Sequence, residues 1–153
     1  MEGKNREIIV VIDVGNSNTT FGIFVDGGLV CEFRILTNRD YTGDQYYHFF
    51  RTALVRYFSY VEIDSVEQDI TCVVVSNVVP QTRKQMRIFL SRHLRKPFIF
   101  VDHQNHDLRI LLQNPREIGS DIVCNAIGAL SKYDQDCIVV DFGTATTFVA
   151  IRQ

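Results

Sequence analysis

The sequence predicts an α/β fold in which helices cover a mixed sheet, and three observations carry that prediction. Apolar β-branched runs recur at residues 8–12, 70–75 and 138–140, as buried strands require. Between the first two runs the apolar period lengthens to that of an amphipathic helix. The order of elements is a three-strand meander followed by alternating helix and strand, βββαβαβα, and such alternation favours helices packed over a sheet. A closing hairpin then looks like the opening of a second copy.

Residues 8–14, 19–25 and 29–36 read as the first three strands, with Asp26-Gly27-Gly28 as a hairpin turn whose glycines supply positive φ. From 42 to 61 the pattern is helical, with Tyr46, Phe50, Ala53, Leu54 and Tyr57 on one face and Asp44 in a first turn opened by Thr42. That aromatic stripe reads as core, not as a ligand-stacking surface, because its spacing is simply amphipathic. Residues 70–75 form a continuous β-branched run, the mark of a central strand, and Ser76-Asn77-Val78-Val79-Pro80 leads into a helix over 81–94. A short strand at 98–101 precedes an irregular stretch, 104–114, with room for a strand at 108–112. Asn114-Pro115 starts a turn, 118–133 reads as a helix, and 137–141 with 146–151 makes the last hairpin.

Chemistry concentrates in two turns. Asp13-Val14-Gly15-Asn16-Ser17-Asn18-Thr19-Thr20 follows the first strand, and Asp141-Phe142-Gly143-Thr144-Ala145-Thr146-Thr147 follows the strand at 137–141. An Asp at a strand end suits a hydrated cation, since Mg²⁺ keeps waters and takes one or two carboxylates. Glycine beside it lets backbone approach a ligand. Turn N–H groups and the Asn, Ser and Thr side chains supply donors for phosphate oxygens. Neither turn contains the lysine of a P-loop or opens a helix as a dinucleotide fingerprint does. Either turn alone is ordinary hairpin chemistry; the pair suggests duplicated strand–turn–strand units facing one ligand.

Bulk properties narrow the class. A chain of 153 residues can bury roughly 68–70% of its unfolded surface, enough for a solid core. A net charge of −2 gives no general pull toward nucleic acid or anionic membrane. No apolar run approaches the ~18–20 residues of a membrane span, and the polar first seven residues are unlike a signal peptide. Cys31, Cys72, Cys124 and Cys137 form no CxxC pair and read as reduced, mostly buried thiols of a cytoplasmic protein. The basic residues of 83–96 alternate with Met86, Ile88, Phe89, Leu90 and Leu94, as on a solvated helix face. His93, His103 and His106 lack zinc-ligand spacing and read as surface or loop groups.

The ordered segments DVGNSNTTFGIF, SNVVP, NPREIGSD and DFGTATTF resemble those of type III pantothenate kinases, members of the acetate kinase, sugar kinase, Hsp70 and actin superfamily. The resemblance runs from about Ile8 to Ile151. It implies an actin-like ATPase (ribonuclease H-like) fold, with residues 1–116 as the N-terminal domain and 117–153 as the start of a truncated second one. It implies ATP-dependent phosphorylation of pantothenate to 4'-phosphopantothenate, the first step toward coenzyme A, by a homodimer. By this likeness Asp13, Val14, Gly15, Asn16, Ser17, Asn18, Thr19 and Thr20 form the first phosphate loop, with Asp13 holding Mg²⁺ through water. Thr144 contacts ATP phosphates, and Asp141 ligates a monovalent cation, K⁺ or NH₄⁺. Gly119, Ser120, Asp121 and Ile122 match the pantothenate segment, and Asp121 is its catalytic carboxylate, fit to accept the substrate hydroxyl proton.

Three departures from that pattern stand out. Ile122 replaces an arginine of the family, removing a rigid fork of donors. Leu112 stands where the family often has tyrosine. The sequence also ends soon after the second phosphate motif, which leaves Val149 and Ile151 expecting a sheet to join and predicts a weak or inactive kinase for the isolated chain. The competing readings are a non-catalytic nucleotide-binding regulatory or accessory protein, favoured by Ile122, and a phosphatase on the same scaffold.

Overall fold

The computed structural model describes residues 6–58 and 60–152. Strands β1 (Ile8–Val14), β2 (Asn18–Val25) and β3 (Gly28–Leu36) form the antiparallel meander, and β4 (Ile70–Asn77) and β5 (Phe98–Phe100) extend it. The sheet order is β3-β2-β1-β4-β5, with β4 parallel to β1 and β5 parallel to β4. Among the described residues, β6 (Cys137–Phe142) and β7 (Thr146–Ile151) pair only with each other. The positive φ of the β2–β3 turn falls on Asp26 and Gly27, while Gly28 already belongs to β3.

Alternation in β1 sorts the sheet into two faces. Ile8, Val10, Ile12 and Val14 are buried with Phe21, Ile23, Val73 and Val75. Over them lie α1 (Gly43–Leu54), α2 (Tyr60–Asp69) and the segment from α3 (Arg83–Ile88) through a π-helical turn at Phe89–Leu94. Tyr46, Phe50, Leu54, Met86, Phe89 and Leu90 supply the helical half of this core. Phe21 stacks on Phe33 with centroids 4.6 Å apart, against Phe50 and Phe89, an arrangement worth more than its buried area alone. The opposite face carries Ile9, Val11 and Asp13, in register with Cys72, Val74 and Ser76. α4 (Ser120–Tyr133) meets that face at β4.

Several expectations are corrected. The helix expected over 42–61 ends at Leu54, and α2 is a separate helix. Thr42 does open α1, in a full capping box with Gln45. At the other end Arg56 and Tyr57 form tighter i to i−3 bonds, and the Tyr57 hydroxyl leaves the helix face to donate to the Glu32 carbonyl. Tyr57 is therefore exposed instead of core. No strand forms at 108–112. Side chains upstream already claim the backbone there: Asp102 accepts from the Gln104 and Asn105 amides, Asn105 donates to the Phe100 carbonyl, and His106 Nδ1 accepts from Leu108. Such local bonds compete with a ladder.

Of the cysteines, Cys31 alone is fully buried, and burial lifts its thiol pKa to about 11. His93 is no simple surface group. It stacks on Tyr47 and pairs with Asp44 at 2.7 Å. The Nε2 atoms of His103 and His106 are buried. The basic face of 83–96 is exposed as expected, with Arg83 and Arg87 lying over Phe100, a cation–π contact that also shields the sheet edge.

Candidate active site

The site forms where the carboxyl ends of parallel strands β1 and β4 meet the start of α4 and the β6–β7 turn, the usual ligand position on such sheets. The two turns touch: Ser17 Oγ lies 3.1 Å from Thr144 Oγ1, though 127 residues separate them. The duplicated motifs thus face each other.

The first turn is closed by the Gly15 N–H donating to the Asn18 carbonyl at 3.0 Å. Gly15 has no positive φ; a Cβ there would sit 3.2 Å from that carbonyl, so glycine serves close approach. Asn16 and Ser17 are exposed at the tip, whereas Val14 and Thr19 are fully buried beneath it and offer no side chain to a ligand there. Thr20 pairs with Asp13 in the β1–β2 register.

The segment at Gly119 is built around its carboxylate. Gly119 caps α4 with extended backbone, and a Cβ on it would overlap the Asp121 carboxylate. Asp121 Oδ1 accepts the Ile122 amide at 2.8 Å, so one orphan N–H of the helix start is satisfied. Ile122 contributes that amide and no charged fork. Ser120 Oγ is buried against β4, accepting from the Asn77 amide at 2.8 Å and meeting Ser76 Oγ at 3.1 Å. Its hydroxyl docks α4 on the sheet and so sets where Asp121 stands. Asp141 on β6 accepts from Asn125 Nδ2 of α4 at 3.5 Å.

Asp13 gathers these parts electrostatically. Its tip reaches solvent, yet the surrounding protein desolvates the carboxylate and raises its pKa. A Ser76 hydrogen bond opposes the rise, and the negative charges of Asp121 and Asp141 add to it. Cys124, one turn along α4, is raised by burial and then by the same Asp13 and Asp121. The charges of Asp121 and Asp141 therefore act on Asp13. Among the described residues no three His, Cys, Asp or Glu side chains stand close enough to cage a metal directly. A hydrated Mg²⁺ shared between carboxylate and phosphate fits this arrangement.

Ser76, Cys124 and Asn125 take their places at the site only through the fold. Ser76 lay within a noted segment, but its role depends on strand register.

A family model described as type III pantothenate kinase matches residues 9–153. The chain belongs to the type III pantothenate kinase family. The chain is 38% identical over 147 residues to the type III pantothenate kinase of Desulfatibacillum aliphaticivorans, covering 95% of this chain and 55% of the relative. With that of Desulfosudis oleivorans it shares 40% over 142 residues, 92% of this chain and 53% of the relative. With that of Listeria innocua it shares 37% over 147 residues, 95% and 54%. The chain thus spans about half the length of the curated relatives it matches. In fold it is similar to YeaZ from Pseudomonas aeruginosa, with a TM-score of 0.51 at 10% identity over 96% of this chain and 62% of that one. The fold is the actin-like α/β type with a mixed five-stranded sheet.

Proposed function

We propose that this chain carries the phosphate-binding and catalytic half of a pantothenate kinase, a phosphotransferase acting on an alcohol group. The observation that carries the reading is the meeting of the two motif turns, Ser17 Oγ against Thr144 Oγ1, with Asp13 of the first turn feeling the charges of Asp121 and Asp141. The turn at residues 15–18 and Thr144 bind the phosphate chain of ATP. Asp13 holds the water shell of Mg²⁺, which supplies charge neutralisation on the phosphoryl oxygens when bound. Asp121, fixed by Gly119 and Ser120, accepts the proton of the pantothenate hydroxyl as it attacks. Asp141, steadied by Asn125, is the ligand for the monovalent cation. Residues 1–116 form the first actin-like domain, and 117–153 open the second. The enzyme works as a cytoplasmic homodimer. Among the described residues no helix is long and apolar enough to cross a membrane.

The test is pantothenate-dependent ADP release with Mg²⁺ and K⁺, from the chain alone and joined to the second half of the Desulfatibacillum relative. The joined form is expected to turn over, and Asp121→Asn to lower its rate by about 10²–10⁴, the contribution of a positioned base. An unchanged rate removes that role from Asp121. A joined form that binds MgATP without turnover favours the non-catalytic reading, which the loss of a charged fork at Ile122 supports.

A further inference from the structure

Thr37 stands just past β3, beneath the first turn. Its hydroxyl donates to the Gly15 carbonyl at 2.7 Å and meets the Thr19 hydroxyl at 2.9 Å. Its N–H donates to the Ser17 carbonyl at 2.9 Å. Since the single hydroxyl proton of Thr37 goes to Gly15, Thr19 is the donor within the pair. Thr19 is wholly buried, so this chain of bonds is anchored in the core.

The consequence lies in peptide geometry. In a trans peptide the carbonyl of one residue and the N–H of the next point in opposite directions, and the described chain has no cis bond. Drawing the Gly15 and Ser17 carbonyls toward Thr37 therefore turns the N–H groups of Asn16 and Asn18 away from it. A short hairpin ordinarily spends the second of these, here the Asn18 N–H, on the carbonyl across the turn. Thr37 takes that Gly15 carbonyl instead. Among the described residues, the turn and loop bonds include none from the Asn16 or Asn18 N–H to a backbone carbonyl.

We infer that Thr37 is a positioning residue for phosphate: from behind the loop, it frees the Asn16 and Asn18 amides and aims them at the anionic oxygens of a nucleotide. The inference rests on the reading of this turn as a phosphate loop. It gives a role to a residue outside the loop that touches no ligand itself.

The experiment is calorimetric titration of the full chain with MgATP, alongside ¹H–¹⁵N spectra read at Asn16 and Asn18. Thr37→Val keeps the volume and the backbone N–H and removes the hydroxyl; Thr37→Ser restores it. Wild type is expected to bind with both amides shifting. Thr37→Val should bind about three- to tenfold more weakly, the scale of one lost hydrogen bond, with smaller shifts at both amides while still folded. Thr37→Ser should return to within about twofold, as its hydroxyl makes the same bond. Should Thr37→Val fail to fold, Thr37→Ala measured below its melting temperature carries the same comparison. Full affinity without the hydroxyl, or no recovery with serine, overturns the role of Thr37 and leaves the phosphate loop standing. A wild-type chain that does not bind MgATP, or binds it with both amides unmoved, overturns the loop reading and this inference together.

Discussion

The two hairpins share a turn chemistry and differ in everything around it. β1–β2 lies inside a five-stranded sheet, flanked by β3 and β4, with its turn tied from below by Thr37. β6–β7 is a sheet of two strands. One face, with Cys137, Val139, Val149 and Ile151, packs on α4. The other presents Ile138, Val140, Phe142 and Phe148 to solvent, with Phe142 82% and Phe148 71% exposed. The strand period of two explains the split: the Cys137–Ile151 register puts every odd residue toward α4. Val149 and Ile151 have no further sheet to join among the described residues, as expected; they pack on α4 instead, and the even-numbered side is bare. A motif specifies how a turn can bind; the packing around it decides how firmly the turn is held.

Core truncation should separate the two regions most. Phe21→Ala removes a ring with no solvent exposure and is expected to cost about 3–5 kcal/mol. Phe148→Ser, at the matching place in the second hairpin, should stay within about ±0.5 kcal/mol. Denaturant melts of both variants check this, and a large loss from Phe148→Ser would show that the bare face is covered in solution. Next in size is backbone exchange. Amides of β6–β7 should exchange at least about tenfold faster than those of β1–β2, since two-stranded sheets open locally at low cost. Equal protection would break the comparison.

The Asp13 carboxylate gives a third prediction, with its sign fixed by linkage. Asp13 has its pKa raised in the fold, so the folded chain holds that proton more tightly than the unfolded one. The stabilisation this gives is present at low pH and is lost as pH rises from the ordinary carboxylate value through the elevated one. Asp13→Asn should therefore melt higher than wild type at neutral pH, while MgATP binding falls. A lower melting temperature would mean that the charge is compensated. The smallest effect is expected at Tyr46, whose hydroxyl is buried without a partner among the described residues and whose pKa is pushed up to about 12 by burial. Tyr46→Phe should leave stability unchanged or raise it by up to about 1 kcal/mol, because no bond is lost.

How far these features could be read in advance follows the same divide. Strand positions, the Thr42 helix start and the paired turns were legible because hydrophobic period and turn chemistry are local. The break after Leu54 was not, since it depends on Tyr57 finding the Glu32 carbonyl on another strand. Thr37 and Ser76 escaped for the same reason. Each is an ordinary residue at a strand end until register sets it beside Gly15 or Asp13. Gly119 was legible as part of a motif, but its reason, room for the Asp121 carboxylate, needed the fold.

The central claim is that both turns grip one phosphate chain, and a double-mutant cycle tests it most directly. MgATP affinity would be measured for wild type, Ser17→Ala, Thr144→Val and the double variant. The account predicts that each single change weakens binding and that the two are coupled by at least about 0.5 kcal/mol, as residues sharing one ligand are. Additive losses, or a Thr144→Val variant that binds as wild type does, would contradict it.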